Sequence, residues 1–257
     1  MSWNTSRNLP SQTRPDGEAV TDPAGVVPKR RALQRIPRPA SARTGGPAPW
    51  AHLDEADRRV DCARLREVFA EIGPPVRSDR EGQLARGAAV LAPIYEHGGE
   101  AYVVLTRRST ALRVHSGEVS FPGGRQDEGE TLAETAHREA DEEIGLDPSS
   151  IEIIGELDHL TTATSGSFIV PYVGLLPGFP SLVASPAEVD AVLHVPLAEL
   201  LNPSIYREER WFLFGADRSI FFFELDEDIV WGATAAMLRQ LLGLATGTVA
   251  RGELHHI

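Results

Sequence analysis

The stretch GEVSFPGGRQDEGETLAETAHREADEEIGL, Gly117 to Leu146, puts a glycine turn, a helix and a crowd of carboxylates within 30 residues. The helix is expected to begin near Asp127, whose side chain can accept from the exposed N–H groups of a first turn. Glu130, three residues on, would return the bond as in a capping box. Gly145, free to take the left-handed conformation, is the expected stop, with Pro148 just beyond it. At about 100° per residue, Ala133, Ala136, Ala140 and Ile144 share one arc and Glu139, Glu142 and Glu143 the adjoining one. One helix therefore docks through small residues and presents charge from a rigid support.

Three carboxylates on one face repel by a few tenths of a kcal/mol per pair even in water, and by more once buried. Something positive is expected among them. Oxygen donors without Cys or His select a hard cation, Mg²⁺ or Mn²⁺, over Zn²⁺, and such ions bind through a few carboxylates plus substrate phosphates. The short string EADEE by itself reads as a solvated acidic face, as most charge runs do. The longer spacing says more. Gly124, Glu130, Arg138-Glu139, Glu142-Glu143, Gly145 and Leu146 together resemble the Nudix box, a loop-helix-loop of pyrophosphate hydrolases. The one departure is Ala140, where the family pattern has a bulkier aliphatic residue.

The resemblance implies roles residue by residue. Glu139 and Glu143 match the main metal ligands, and Glu142 matches a third that also helps to orient water. Arg138 matches an arginine that pairs with Glu130 and steadies the cluster, and the carbonyl of Gly124 matches a further metal contact. The catalytic set implied is Glu142, Glu143, Arg138 and Glu130. The fold implied is α/β, a helix/mixed sheet/helix sandwich of Nudix type.

Just upstream, Leu105-Thr-Arg107-Arg108-Ser109 is followed by Arg113 and then Gly117-Glu-Val119-Ser-Phe121-Pro122-Gly123-Gly124. This reads as a strand end releasing a basic loop into the metal site. Arg107, Arg108 and Arg113 are candidate substrate contacts, since guanidinium groups suit bidentate phosphate binding; balancing neighbouring acids is their plainer role. The pattern resembles the signature of the coenzyme A pyrophosphatase branch of the Nudix family, with Val104 in place of a leucine. That resemblance makes the three arginines candidates for the 3′-phosphate of coenzyme A.

The rest of the chain bounds these readings. Residues 1–50 hold eight of the 19 prolines, eight of the 25 basic residues and three of the 37 acidic ones, and are expected to form a disordered, basic, Pro-rich tail. The run from Lys29 to Arg38 is expected to be solvated. Residues 51–257 are expected to form a single domain, with its core at about 85–225; 17 basic residues against 34 acidic ones leave it a formal charge of −17. That charge argues against nucleic acid as a partner and for a small nucleotide substrate reached through a cation. No apolar run is long enough to span a bilayer. One cysteine, Cys62, precludes an intrachain disulfide and fits a cytoplasmic setting. Monomer and homodimer stay open.

Helical spacing is expected from Leu53 to Ile72, and strands at 87–94 and 101–106 are joined by a turn near His97-Gly98-Gly99. Further strands are expected at 151–159, 168–176 and 188–195, a hairpin at 209–214 and 219–225, a short helix at Pro196–Leu201 and a closing helix from Ala233 to Leu244. The loop Thr161–Gly166 is expected to border the pocket; Glu156, Glu188 and Glu224 are candidates for a further metal ligand or general base, with surface or hydrogen-bonding positions the expected ones. The reaction implied is metal-assisted hydrolysis of coenzyme A or its acyl derivatives to 3′,5′-ADP and 4′-phosphopantetheine or its acyl form. ADP-ribose is the second substrate choice, and a non-catalytic binding module the reading of another class.

Overall fold

The computed structural model describes residues 34, 36–81, 87–112, 115–161 and 168–253. In chain order these form β1 (Arg43–Thr44), α1 (Cys62–Glu71), β2 (Gly87–His97), β3 (Glu100–Arg108), β4 (Val119–Ser120), β5 (Gly123–Arg125) and α2 (Leu132–Ile144). A 3-10 turn at Pro148–Ser150 leads to β6 (Glu152–Glu156), β7 (Leu160–Thr161), β8 (Phe168–Leu175), β9 (Val189–Pro196) and α3 (Leu197–Leu200). The chain closes with β10 (Tyr206–Leu213), β11 (Ala216–Glu224), β12 (Ile229–Trp231) and α4 (Gly232–Thr246).

The larger sheet runs β4-β3-β2-β8-β6, with β5 on β2, β7 on β8 and β9 on β3. It is mixed, because β2 and β8 pair in parallel, Gly87 opposite Phe168, while the other pairs are antiparallel. Side chains alternate across it with the period of two that a strand imposes. Ala89, Leu91, Tyr95, Val104, Val170 and Tyr172 face α2 and meet Ala136, Ala140 and Ile144. Ala92, Ile94, Val103, Leu105, Val173 and Leu175 face the other way, toward Leu65 and Phe69 of α1 and Leu238 and Leu241 of α4. Both faces are covered, as the apolar runs in β2 and β3 require. The small Ala136 and Ala140, both fully buried, let the α2 backbone lie close on the sheet.

Several expectations shift. Helix α2 begins at Leu132, not near Asp127: Thr131 is the N-cap and shares a capping box with Glu134. Gly129, at φ +88°, breaks helical geometry before that point, although Glu130 still accepts from the Asp127 N–H at 3.1 Å, the return bond expected of it. The C-terminus is as expected, with Gly145 left-handed at φ 64°. Helix α1 begins at Cys62 because Asp61 accepts from the Arg64 N–H at 2.7 Å; residues 53–60 form turns instead.

The expected hairpin belongs to a separate sheet of order β1-β10-β11-β12, which packs on the α4 side. Its first strand lies inside the stretch expected to be disordered. Trp50 is fully buried against Tyr206 and Phe223, and Arg38 pairs with Glu209 at 2.7 Å. Residues 36–50 therefore belong to the folded body; residues 1–33 lie outside the described residues.

Candidate active site

The site gathers at the end of the larger sheet where β2 begins. Strand β5 pairs there with Ala88, Ala89 and Val90, which lays Gly123 and Gly124 across the carboxylate face of α2. A Cβ on Gly123 would run into the Ala89 carbonyl, and one on Gly124 into the carboxylate of Glu139. Only glycine allows this approach of backbone to side chain.

Glu143 is 3% exposed. One of its oxygens accepts from the Gly123 N–H at 3.3 Å and the other faces the Arg108 guanidinium at 3.7 Å. Burial pushes its carboxyl group up to about 7, helped by the charges of Glu139 and Glu188 and opposed by Arg108 and the Gly123 N–H. Glu139 is also raised, first by burial, with Arg138 opposing and Glu142 and Glu188 adding repulsion. Two desolvated carboxylates thus sit together with less positive charge than they call for.

Arg138 is the hub of the outer side. It donates to Glu130 at 2.6 and 3.2 Å, to Glu139 at 3.0 Å, to Glu142 at 2.9 Å and to the Arg125 carbonyl at 3.0 Å. The hydrogen bond from Arg138 holds Glu130 down to about 2. The pairing of Arg138 with Glu130 is the one the box resemblance implies. Glu142 differs: its side chain is 60% exposed and turned to Arg138, outside the buried pair.

The arginines of the upstream loop separate. Strand alternation sends Arg107 and Arg108 to opposite faces of β3. Arg107, 6% exposed, makes a two-pronged bond to the buried Asp228, at 2.7 and 2.5 Å, on the side of the second sheet. Two of its guanidinium nitrogens are engaged in that tie, on the face of β3 away from Glu143. Arg108 points to α2 and Glu143. Arg113 lies outside the described residues, as does the Thr161–Gly166 loop beyond Thr161.

Sequence reasoning missed Asp228, which no local pattern connects to Arg107, and set Glu188 aside. Glu188 stands at the turn before β9, where its carbonyl accepts from Ser109 N at 2.7 Å, and its charge acts on both buried carboxylates. Among the described residues no three Asp, Glu, His or Cys side chains stand as a ready metal cage. The buried pair still fits a hard divalent cation. Its donors are all oxygen, it is short of positive charge, and the Glu139 carboxylate lies against the backbone of Gly124, where a Cβ would otherwise be. Glu139 and Glu143 are the residues that could hold the ion.

A family model described as NUDIX domain matches residues 85–213. An uncharacterized Nudix hydrolase NudL of Klebsiella pneumoniae is 36% identical over 187 residues, covering 72% of this chain and 95% of that protein. A protein of the same description from Photorhabdus laumondii is 38% identical over 157 residues, covering 61% and 83%. Among solved structures, the NUDIX domain of Shewanella oneidensis NrtR, complexed with ADP ribose, is similar at 23% identity and TM-score 0.39, covering 53% of this chain and 86% of that one.

Proposed function

We propose a reaction for this chain, which belongs to the Nudix family: hydrolysis of the pyrophosphate bond of coenzyme A or its acyl derivatives, dependent on Mg²⁺ or Mn²⁺. The observation that carries the hydrolysis is the Glu139–Glu143 pair, Glu143 buried and Glu139 partly so, under-compensated in charge and backed by Gly124. The coenzyme A reading rests on the signature from Leu105 to Gly124.

When bound, a divalent cation would neutralise the bridging phosphates and make a water molecule more acidic. The chain's residues supply the frame. Glu139 and Glu143 present their oxygens from one rigid face of α2, and Gly123 fixes the Glu143 carboxylate through its N–H. Arg138 holds Glu130, Glu139 and Glu142 in one network, which keeps the acidic side chains from drifting apart. Arg108 offers its guanidinium beside the buried pair, where a substrate phosphate would compete for it. The oxygen of water forms a bond to one phosphorus, the bridging P–O bond breaks, and the departing phosphate keeps the electron pair. A carboxylate takes the water's proton.

Separate incubations with coenzyme A, ADP-ribose and dinucleotides, with Mg²⁺, Mn²⁺ or chelator, test this by product mass. Metal-dependent 3′,5′-ADP and 4′-phosphopantetheine from coenzyme A are expected. Cleavage of ADP-ribose alone would keep the chemistry and discard the substrate; no cleavage of any compound would favour a binding module.

A further inference from the structure

We infer that the pocket between the end of α2 and the β8–β9 connection holds the neutral arm of the substrate, the pantetheine chain with any acyl group it carries; the inference deepens the reaction proposed above and rests on it. The connection, residues 176–188, runs along α2 as a strap. Val183 N donates to the Ile144 carbonyl at 2.9 Å, Ser185 N to the Glu143 carbonyl at 2.8 Å, and Ser109 N to the Glu188 carbonyl at 2.7 Å. One end of the strap thus stands beside the acidic cluster. The other end, with the turn that follows α2, encloses about 480 Å³, within the range of small-ligand sites.

Leu146, Asp147 and Ser150 line one side of this pocket, and Leu176, Phe179 and Ser181 the other. Phe179 is 46% exposed, and Val183, on the way back to Glu143, is 73% exposed. These are two of the four large apolar side chains that stand exposed among the described residues. The Phe179 ring is nevertheless held in place. It stacks on His194 at 5.1 Å and meets Tyr95 edge-on at 5.5 Å, and a hydrogen bond of 2.8 Å joins the Tyr95 hydroxyl to His194 Nδ1. A ring fixed in this way gives a ligand apolar surface with little ordering left to do.

Charge selects the occupant. The pocket lies at the C-terminal end of α2, where the helix dipole is negative, and Asp147 adds a carboxylate. No basic side chain is among the described residues that line it. The adenosine end of coenzyme A, with its 3′-phosphate, would be repelled there; the pantetheine arm has amides and apolar carbons and no charge. Length agrees. Ser185, beside Glu143, and Ser181, at the pocket, are four residues apart, at most about 14 Å of chain. From phosphate oxygen to sulfur the arm spans about 12 bonds, as many as four residues of backbone.

The test is calorimetric binding of 4′-phosphopantetheine and of adenosine 3′,5′-diphosphate, each with Mg²⁺, to the wild type, Phe179→Ala and Ser181→Trp. Both positions are exposed, so both variants should keep the wild-type circular dichroism. Each variant should bind 4′-phosphopantetheine about tenfold more weakly, the first for want of the ring's apolar contact and the second for want of space. Adenosine 3′,5′-diphosphate should bind all three proteins within about twofold. In turnover of coenzyme A the deficit should appear in KM and not in kcat. Undiminished binding of 4′-phosphopantetheine by either variant overturns the proposal, as does its failure to bind the wild type. So does weaker binding of adenosine 3′,5′-diphosphate alone, which would give the pocket to the adenosine end, or an equal loss of both ligands, which would make the strap only a support. Because binding needs no turnover, the expected losses without cleavage of coenzyme A would refute the reaction and uphold the pocket.

Discussion

Replacing Glu143 by glutamine should stabilise the metal-free protein while abolishing its activity. The folded carboxyl group titrates at about 7, against about 4.3 in an unfolded chain. Between those values the folded state binds more protons than the unfolded one, so the stability of the metal-free chain falls as pH rises through that window. The penalty integrates to about 3 to 4 kcal/mol at pH 8 and about 1 kcal/mol at pH 5. Glutamine carries no charge to desolvate and keeps an oxygen for the Gly123 N–H. Thermal melting of metal-free wild type and Glu143→Gln between pH 5 and 8 is the assay. The variant should melt higher at pH 8 by roughly 6 to 16 °C, for a protein of this size, and the gap should shrink toward pH 5. Saturating Mg²⁺ should raise the wild type at pH 8 and leave the variant nearly unchanged. A variant no more stable than wild type at pH 8, or a gap that does not depend on pH, would refute the reasoning.

Other substitutions probe the frame. Gly124→Ala pushes a Cβ into the Glu139 carboxylate; the fold should persist by circular dichroism while kcat/KM drops about 100-fold, as for an ångström-scale misplacement. Asp228→Ala strands the buried Arg107 guanidinium and should cost about 3 to 5 kcal/mol in denaturant unfolding. Trp50→Ala empties a fully buried ring site between Tyr206 and Phe223 and should cost a similar amount; an unchanged midpoint would detach residues 36–50 from the folded body.

What could be read from the sequence was what local geometry decides. Gly145 marks the end of α2 because a left-handed C-cap suits glycine, and Ala136 and Ala140 mark its buried arc because helical spacing puts them there. The start of α2 was misplaced because Asp127 and Thr131 both offer caps, and the choice falls to the positive φ of Gly129. The alternation of Arg107 and Arg108 is implicit in any strand, but which face meets α2 depends on a sheet assembled from distant segments. Asp228, 121 residues from Arg107, has no local signature. The N-terminal stretch reads as disordered by composition, yet two anchors, Trp50 and Arg38, suffice to bind its last residues to the body.

The central claim is that Glu139 and Glu143 hold the cation on which hydrolysis depends. Calorimetric titration of the metal-free chain with Mn²⁺ at pH 8, beside the double variant Glu139→Gln, Glu143→Gln, tests it most directly. The account predicts saturable binding by the wild type that weakens at least about 100-fold in the double variant, since each lost carboxylate removes both a donor and a charge. Equal Mn²⁺ affinity in the two proteins would contradict it.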